Sequence, residues 1–114
     1  MWCFYNGQYV QAEDLKISPF DHGFLYGLGV FETFRTYNGK PFLWDAHMAR
    51  LQRALDAYHI VLPYTSAELR DVIMQLNERE GGTDGYFRLN VSAGEAGIGL
   101  ANTQYTEPNV IVFR

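Results

Sequence analysis

The chain has 114 residues, 47% of them hydrophobic and 16% aromatic, which suffices for one packed domain and excludes a disordered segment. Nine Lys and Arg against thirteen Asp and Glu give a formal charge of −4 with no basic block, which argues against a nucleic-acid backbone binder. Cys3 is the only cysteine and reads as a buried structural thiol, so neither an internal disulfide nor a cysteine metal site can form. Asn6, Gly7 and Gln8 interrupt the N-terminal apolar stretch, so it is neither a signal peptide nor a membrane span, and the default compartment is the cytoplasm.

In chain order, Asn6-Gly7 lies between Trp2–Tyr5 and Gln8–Val10, and Asn38-Gly39 between Val30–Tyr37 and Lys40–Trp44. Asn-Gly suits a type I′ turn with two positive φ angles, and its flanks here are aromatic and β-branched, so two hairpins are predicted. Pro41 places the second return strand at an edge or makes it begin irregularly. Asp45 is the predicted N-cap of a helix whose apolar stripe is Met48, Leu51, Leu55 and Tyr58, ending near His59. Thr65-Ser66-Ala67-Glu68 is a capping box opening a second helix, with Leu69, Val72, Ile73 and Leu76 as its buried face and Gly81-Gly82 as its end. Gly85–Ser92 reads as a strand with Phe87, Leu89 and Val91 on one face and Tyr86, Arg88, Asn90 and Ser92 on the other. A glycine-containing loop, Gly94–Gly99, and a short strand, Asn109–Phe113, follow. The order implies an α+β fold, two helices packed on a largely antiparallel sheet. The chain stops at Arg114 directly after that strand, which suggests that more protein follows.

Three segments could carry chemistry. Gly23, Gly27 and Gly29 fall within seven residues, but a strand-like run follows them rather than a helix. The dinucleotide and nucleotide-phosphate motifs therefore fail, and a tight structural loop is favoured. Arg50 borders the apolar stripe of the first helix, where it either meets solvent or reaches a phosphate in bidentate fashion. His47, one turn earlier, reads as a packed or capping histidine, and Asp45, His47 and His59 do not make a metal set. The polar strand face Tyr86, Arg88, Asn90 and Ser92 either meets water or lines a carboxylate pocket. No G-x-S-x-G nucleophile elbow is present.

The run Ser18-Pro19-Phe20-Asp21-His22-Gly23-Phe24-Leu25-Tyr26-Gly27-Leu28-Gly29-Val30-Phe31-Glu32-Thr33-Phe34-Arg35, then Asn38-Gly39 and His47-Met48-Ala49-Arg50-Leu51, resembles the opening of class IV (fold-type IV) pyridoxal-phosphate-dependent aminotransferases. With Arg88-Leu89-Asn90-Val91-Ser92-Ala93-Gly94, it is most similar to the bacterial aminodeoxychorismate lyases of that family. The resemblance implies the small N-terminal domain of a two-domain homodimer that holds pyridoxal 5′-phosphate between its domains. It implies that Arg50 binds the cofactor phosphate and that Tyr26, Phe31, Tyr86 and Arg88 line the substrate pocket, all facing one groove.

The implied activity is conversion of 4-amino-4-deoxychorismate to 4-aminobenzoate and pyruvate, a step of folate biosynthesis. The alternatives are transamination of branched-chain or D-amino acids, or a standalone module without catalysis. Ala93 stands where several D-amino acid and lyase members carry an arginine, so Arg88 or another group must compensate. The family's Schiff-base lysine belongs to the C-terminal domain. This chain has only Lys16 and Lys40, and neither matches that position, so the chain alone is expected to be inactive.

Overall fold

A computed structural model describes residues 1–99 and 104–114. Six strands form one antiparallel sheet in the order β2-β1-β6-β5-β3-β4. The strands are β1 (Trp2–Tyr5), β2 (Gln8–Gln11), β3 (Gly29–Tyr37), β4 (Lys40–Pro41), β5 (Tyr86–Ser92) and β6 (Asn109–Phe113). Helices α2 (Trp44–Ala57) and α3 (Ser66–Arg79) belong to the layer covering the face that carries Phe34, Phe87, Leu89 and Val91. The shortest dimension is 18 Å, the thickness of one sheet and one helix layer, so the architecture is the α+β sandwich that the element order implies.

Both Asn-Gly pairs turn hairpins with positive φ at each residue, Asn6 at 45° and Gly7 at 93°, Asn38 at 51° and Gly39 at 77°. The capping box of α3 is closed in both directions: the Glu68 amide donates to the Thr65 hydroxyl, and the Thr65 amide donates to the Glu68 carboxylate. In the core the Phe34 and Phe87 rings stack 5.9 Å apart, with Trp44 edge-on to Phe34 at 5.4 Å. Leu51, Leu55, Leu69, Ile73 and Leu76 close over them and are fully buried.

Two boundaries differ from the sequence expectation. The second hairpin's return strand is Lys40–Pro41 rather than Lys40–Trp44, and α2 begins at Trp44, so Asp45 lies inside the first turn and is not the N-cap. The residue before the helix is Leu43, in the left-handed region at φ 56°, with no capping side chain. Burial of Trp44 explains the early start: its ring packs on Phe34 and its indole N–H donates to Ser66 Oγ at 3.0 Å. That tertiary anchor outweighs the local preference for an aspartate cap.

The glycine-rich segment also contains a short helix that periodicity does not reveal, α1 (His22–Tyr26). Asp21 caps its start by accepting from the Gly23 amide, and Gly27, at φ 70°, ends it in the left-handed conformation. Cys3 is a free, buried thiol whose pKa burial pushes up.

Candidate functional site

Strand β3 runs through the middle of the site, and its alternation divides the functional side chains between two faces. On the face away from the helices, Phe31 is 53% exposed. The register pairs Phe31 with Asn90 and Thr33 with Arg88, which places Phe31 and Arg88 diagonally on that face. The Arg88 guanidinium carbon lies 3.9 Å from the Phe31 ring centroid, and its Nε and Nη2 donate to Asn90 Oδ1 at 3.3 and 3.2 Å. These three form one side of a hollow of about 510 Å³, whose other walls are Ile17, Pro19, Asp21 and Phe24 from the preceding loop and α1, with Val30 and Ser92. Arg88 is the one cationic side chain among its lining residues.

The loop wall is held rigidly to the end of β5. Asp21, 3% exposed, accepts from the Gly94 amide at 2.8 Å, the Ser92 hydroxyl at 2.8 Å and the Gly23 amide at 3.1 Å. His22 is fully buried, and its Nε2 donates to the Gly97 carbonyl at 2.6 Å. Since a carbonyl only accepts, Nε2 carries the proton and Nδ1 accepts from the Tyr105 hydroxyl at 2.8 Å. The Ser18 hydroxyl donates to Glu95. The reading of this segment as a tight structural loop therefore holds at Asp21 and His22, while its neighbours also form a wall of the hollow.

On the other face of β3, Glu32 is 3% exposed and accepts from two side chains of α2. His47 Nδ1 lies 2.7 Å from Oε1, and Arg50 binds with its Nε and Nη2 edge, at 2.8 Å to Oε2 and 2.6 Å to Oε1. Burial alone would raise the Glu32 pKa, but the hydrogen bonds and charges of Arg50 and His47 outweigh it and hold the carboxyl below its ordinary value. The same contact raises the Arg50 pKa. Arg50 is 64% exposed along its side chain, with Nη1 outside the fork.

These positions correct the expectation of one common groove. Arg50 sits on Glu32, across β3 from Phe31 and Arg88, because adjacent strand residues point to opposite faces. Tyr26 is also outside the hollow: its hydroxyl accepts from the Gly99 amide at 2.6 Å and its ring lies edge-on to His22. Tyr86, 66% exposed, lies beyond the hollow beneath the Arg35 guanidinium. Asp21 and Glu32 were not singled out in the sequence. Glu32 carried a signal, being an acid two residues before the inward Phe34 and so on the buried face. Asp21 carried only its capping position before a short helix. Among the described residues no cluster of three or more His, Cys, Asp and Glu is placed to hold a metal, and no helix is long and apolar enough to cross a membrane.

A depressed carboxylate makes stability depend on pH. Because the folded value of Glu32 lies below the unfolded one, near 4.5, its contribution is present above that pH and is lost as pH falls through the folded value. Urea midpoints of the wild type should fall more steeply between about pH 5 and pH 3 than those of Glu32→Gln. Parallel curves would show that Glu32 does not titrate with folding.

Known proteins match both the sequence and the fold. The family described as Amino-transferase class IV matches residues 29–113. The chain is 46% identical over 111 residues to the aminodeoxychorismate lyase of Bacillus subtilis (strain 168), covering 95% of this chain and 38% of the lyase. It is 36% identical over 110 residues to a putative branched-chain-amino-acid aminotransferase of Methanocaldococcus jannaschii, covering 96% of this chain and 38% of that protein. A T.th. branched-chain amino acid aminotransferase, crystallised with pyridoxamine 5′-phosphate, superposes with a TM-score of 0.86 at 26% identity, over 97% of this chain and 38% of that one. The chain thus spans less than two fifths of the length of these relatives. With that fold and that sequence match, the chain belongs to the class IV aminotransferase family.

Proposed function

We propose that this chain is the small domain of a pyridoxal-phosphate-dependent aminodeoxychorismate lyase, converting 4-amino-4-deoxychorismate to 4-aminobenzoate and pyruvate in the cytoplasm. The observation that carries the choice of lyase is the 46% identity to the Bacillus subtilis enzyme across 95% of this chain. The lysine that bonds the cofactor and serves as base lies, in this reading, in a second domain, and the complete enzyme is a homodimer. The chain without that domain is inactive.

The donor set fits a phosphate ester. An exposed guanidinium with one edge held by Glu32 leaves its Nη1 side for an anionic oxygen. On the far side of β3, Arg88 is the cation suited to a substrate carboxylate, which takes over the role that Ala93 cannot fill. Because the two arginines lie on opposite faces of β3, they would hold different groups, Arg50 the phosphate and Arg88 a carboxylate, rather than one anion between them. Phe31 and Phe24 give the hollow apolar walls beside Arg88. When bound, pyridoxal phosphate would supply the electron sink for an elimination that releases pyruvate and leaves 4-aminobenzoate.

The competing reading is transamination of branched-chain or D-amino acids, supported for the branched-chain case by the Methanocaldococcus relative. The full-length protein, given 4-amino-4-deoxychorismate and no keto-acid acceptor, should release pyruvate and 4-aminobenzoate in equal amounts. Activity seen only with an amino acid plus 2-oxoglutarate would establish the transaminase instead.

A further inference from the structure

So far Glu32 enters the activity only as the group against one edge of Arg50, yet it is a buried carboxylate that collects the side-chain hydrogen bonds of both His47 and Arg50. Burying an ion pair brings little net stability, because desolvation of the charges offsets their attraction. The position is otherwise apolar in character: Glu32 is paired with Leu89 across the sheet and lies two residues from Phe34. What the carboxylate does is restrict Arg50. A free arginine on a helix surface samples many rotamers and surrenders that side-chain entropy when a ligand fixes it. The two-point contact with Glu32 removes much of that freedom before any ligand arrives. His47 donates to the same Oε1, and its ring lies 5.5 Å from Phe34, so the carboxylate is itself held from a second side.

We propose that Glu32 and His47 are positioning residues that hold Arg50 by its Nε and Nη2 edge, so that the Nη1 side is presented already ordered to a phosphate monoester. The inference rests on the reading that Arg50 is the phosphate contact. It also makes a prediction opposite in sign to simple electrostatics. Glu32 is an anion beside an anion-binding group, so Coulomb's law says that neutralising it strengthens phosphate binding. Positioning says that neutralising it weakens phosphate binding.

The test titrates inorganic phosphate and pyridoxamine 5′-phosphate into the 15N-labelled chain. The latter carries the ester and cannot form an imine with Lys16, Lys40 or the N-terminus. Backbone amide and arginine Nε–H shifts report both affinity and the state of the guanidinium. In the wild type the Arg50 Nε–H signal should be sharp and should move on binding. Glu32→Gln should broaden or shift that signal before ligand is added and should raise the dissociation constant at least fivefold, despite the gain of one positive charge. Glu32→Asp keeps the buried charge on a shorter arm. It should raise the constant likewise, which covers the case in which Glu32→Gln fails to fold. Arg50→Ala should raise it more than tenfold. If Arg50→Ala binds like the wild type, or the wild type does not respond, Arg50 is not the phosphate contact and the underlying reading fails. If Arg50→Ala loses affinity while Glu32→Gln or Glu32→Asp retains or gains it, Arg50 stands and the positioning role is overturned.

Discussion

Gly94→Ala is expected to destabilise the domain by about 3–4 kcal/mol, which for a chain of this size lowers the melting temperature by roughly 15–20 °C. Two effects add. Gly94 has φ +89°, where an L side chain is strained by about 1–2 kcal/mol. A methyl there would also stand 2.1 Å from the Glu107 carbonyl oxygen and 3.0 Å from its carbon, and these are backbone atoms that cannot rotate away. Relief requires the 107–108 backbone to move, and Pro108 stiffens that segment, so an overpacking cost of about 1–3 kcal/mol is appropriate. The shift also strains the two hydrogen bonds at Gly94, its amide to Asp21 and its carbonyl from the His22 amide. Calorimetry of the purified chain checks this. A loss under about 5 °C would mean that the 92–97 segment is looser than its contacts indicate.

Asp21→Ala should be of similar size, about 3–5 kcal/mol, by a different route. Removing the carboxylate leaves the Gly94 and Gly23 amides and the Ser92 hydroxyl without their acceptor in a buried place, at about 1–3 kcal/mol for each group not rescued by water. The cap of α1 is lost at the same time. Because Asp21 joins the wall carrying Pro19 and Phe24 to the strand carrying Arg88 and Asn90, the hollow should open as stability falls. Amide hydrogen exchange should therefore rise most at residues 21–27 and 92–97, with the α3 core still protected. Uniform acceleration across the whole chain would instead indicate global unfolding.

The alternation of β3 also keeps two arginines apart. The strand sends Phe31 to one side and Glu32 to the other, so that Arg88 and Arg50 are held on opposite faces. Arg88 is held by an aromatic ring and an amide, and Arg50 by a carboxylate. The guanidinium of Arg50 is compensated by the Glu32 carboxylate, whereas that of Arg88 is held by the neutral Asn90.

What the sequence determined by itself was whatever depends on neighbours along the chain. The Asn-Gly turns, the capping box at Thr65, the apolar stripes of the helices and the alternation of Phe87, Leu89 and Val91 each reflect an energy settled within a few residues, so pattern suffices to find them. The family, too, was legible in the wording of residues 18–35 and 47–51. Only the tertiary structure decided which groups meet across long separations: Asp21 with Ser92 and Gly94, His22 with Tyr105, and Glu32 with His47 and Arg50. It also moved the N-cap of α2 from Asp45 to Leu43 and put Arg50 on the opposite face from Arg88. The physical reason is common to all of these. A buried polar group takes whichever partner the packed layers bring to it, and strand alternation settles the face of a side chain only after the sheet register has chosen which face is covered.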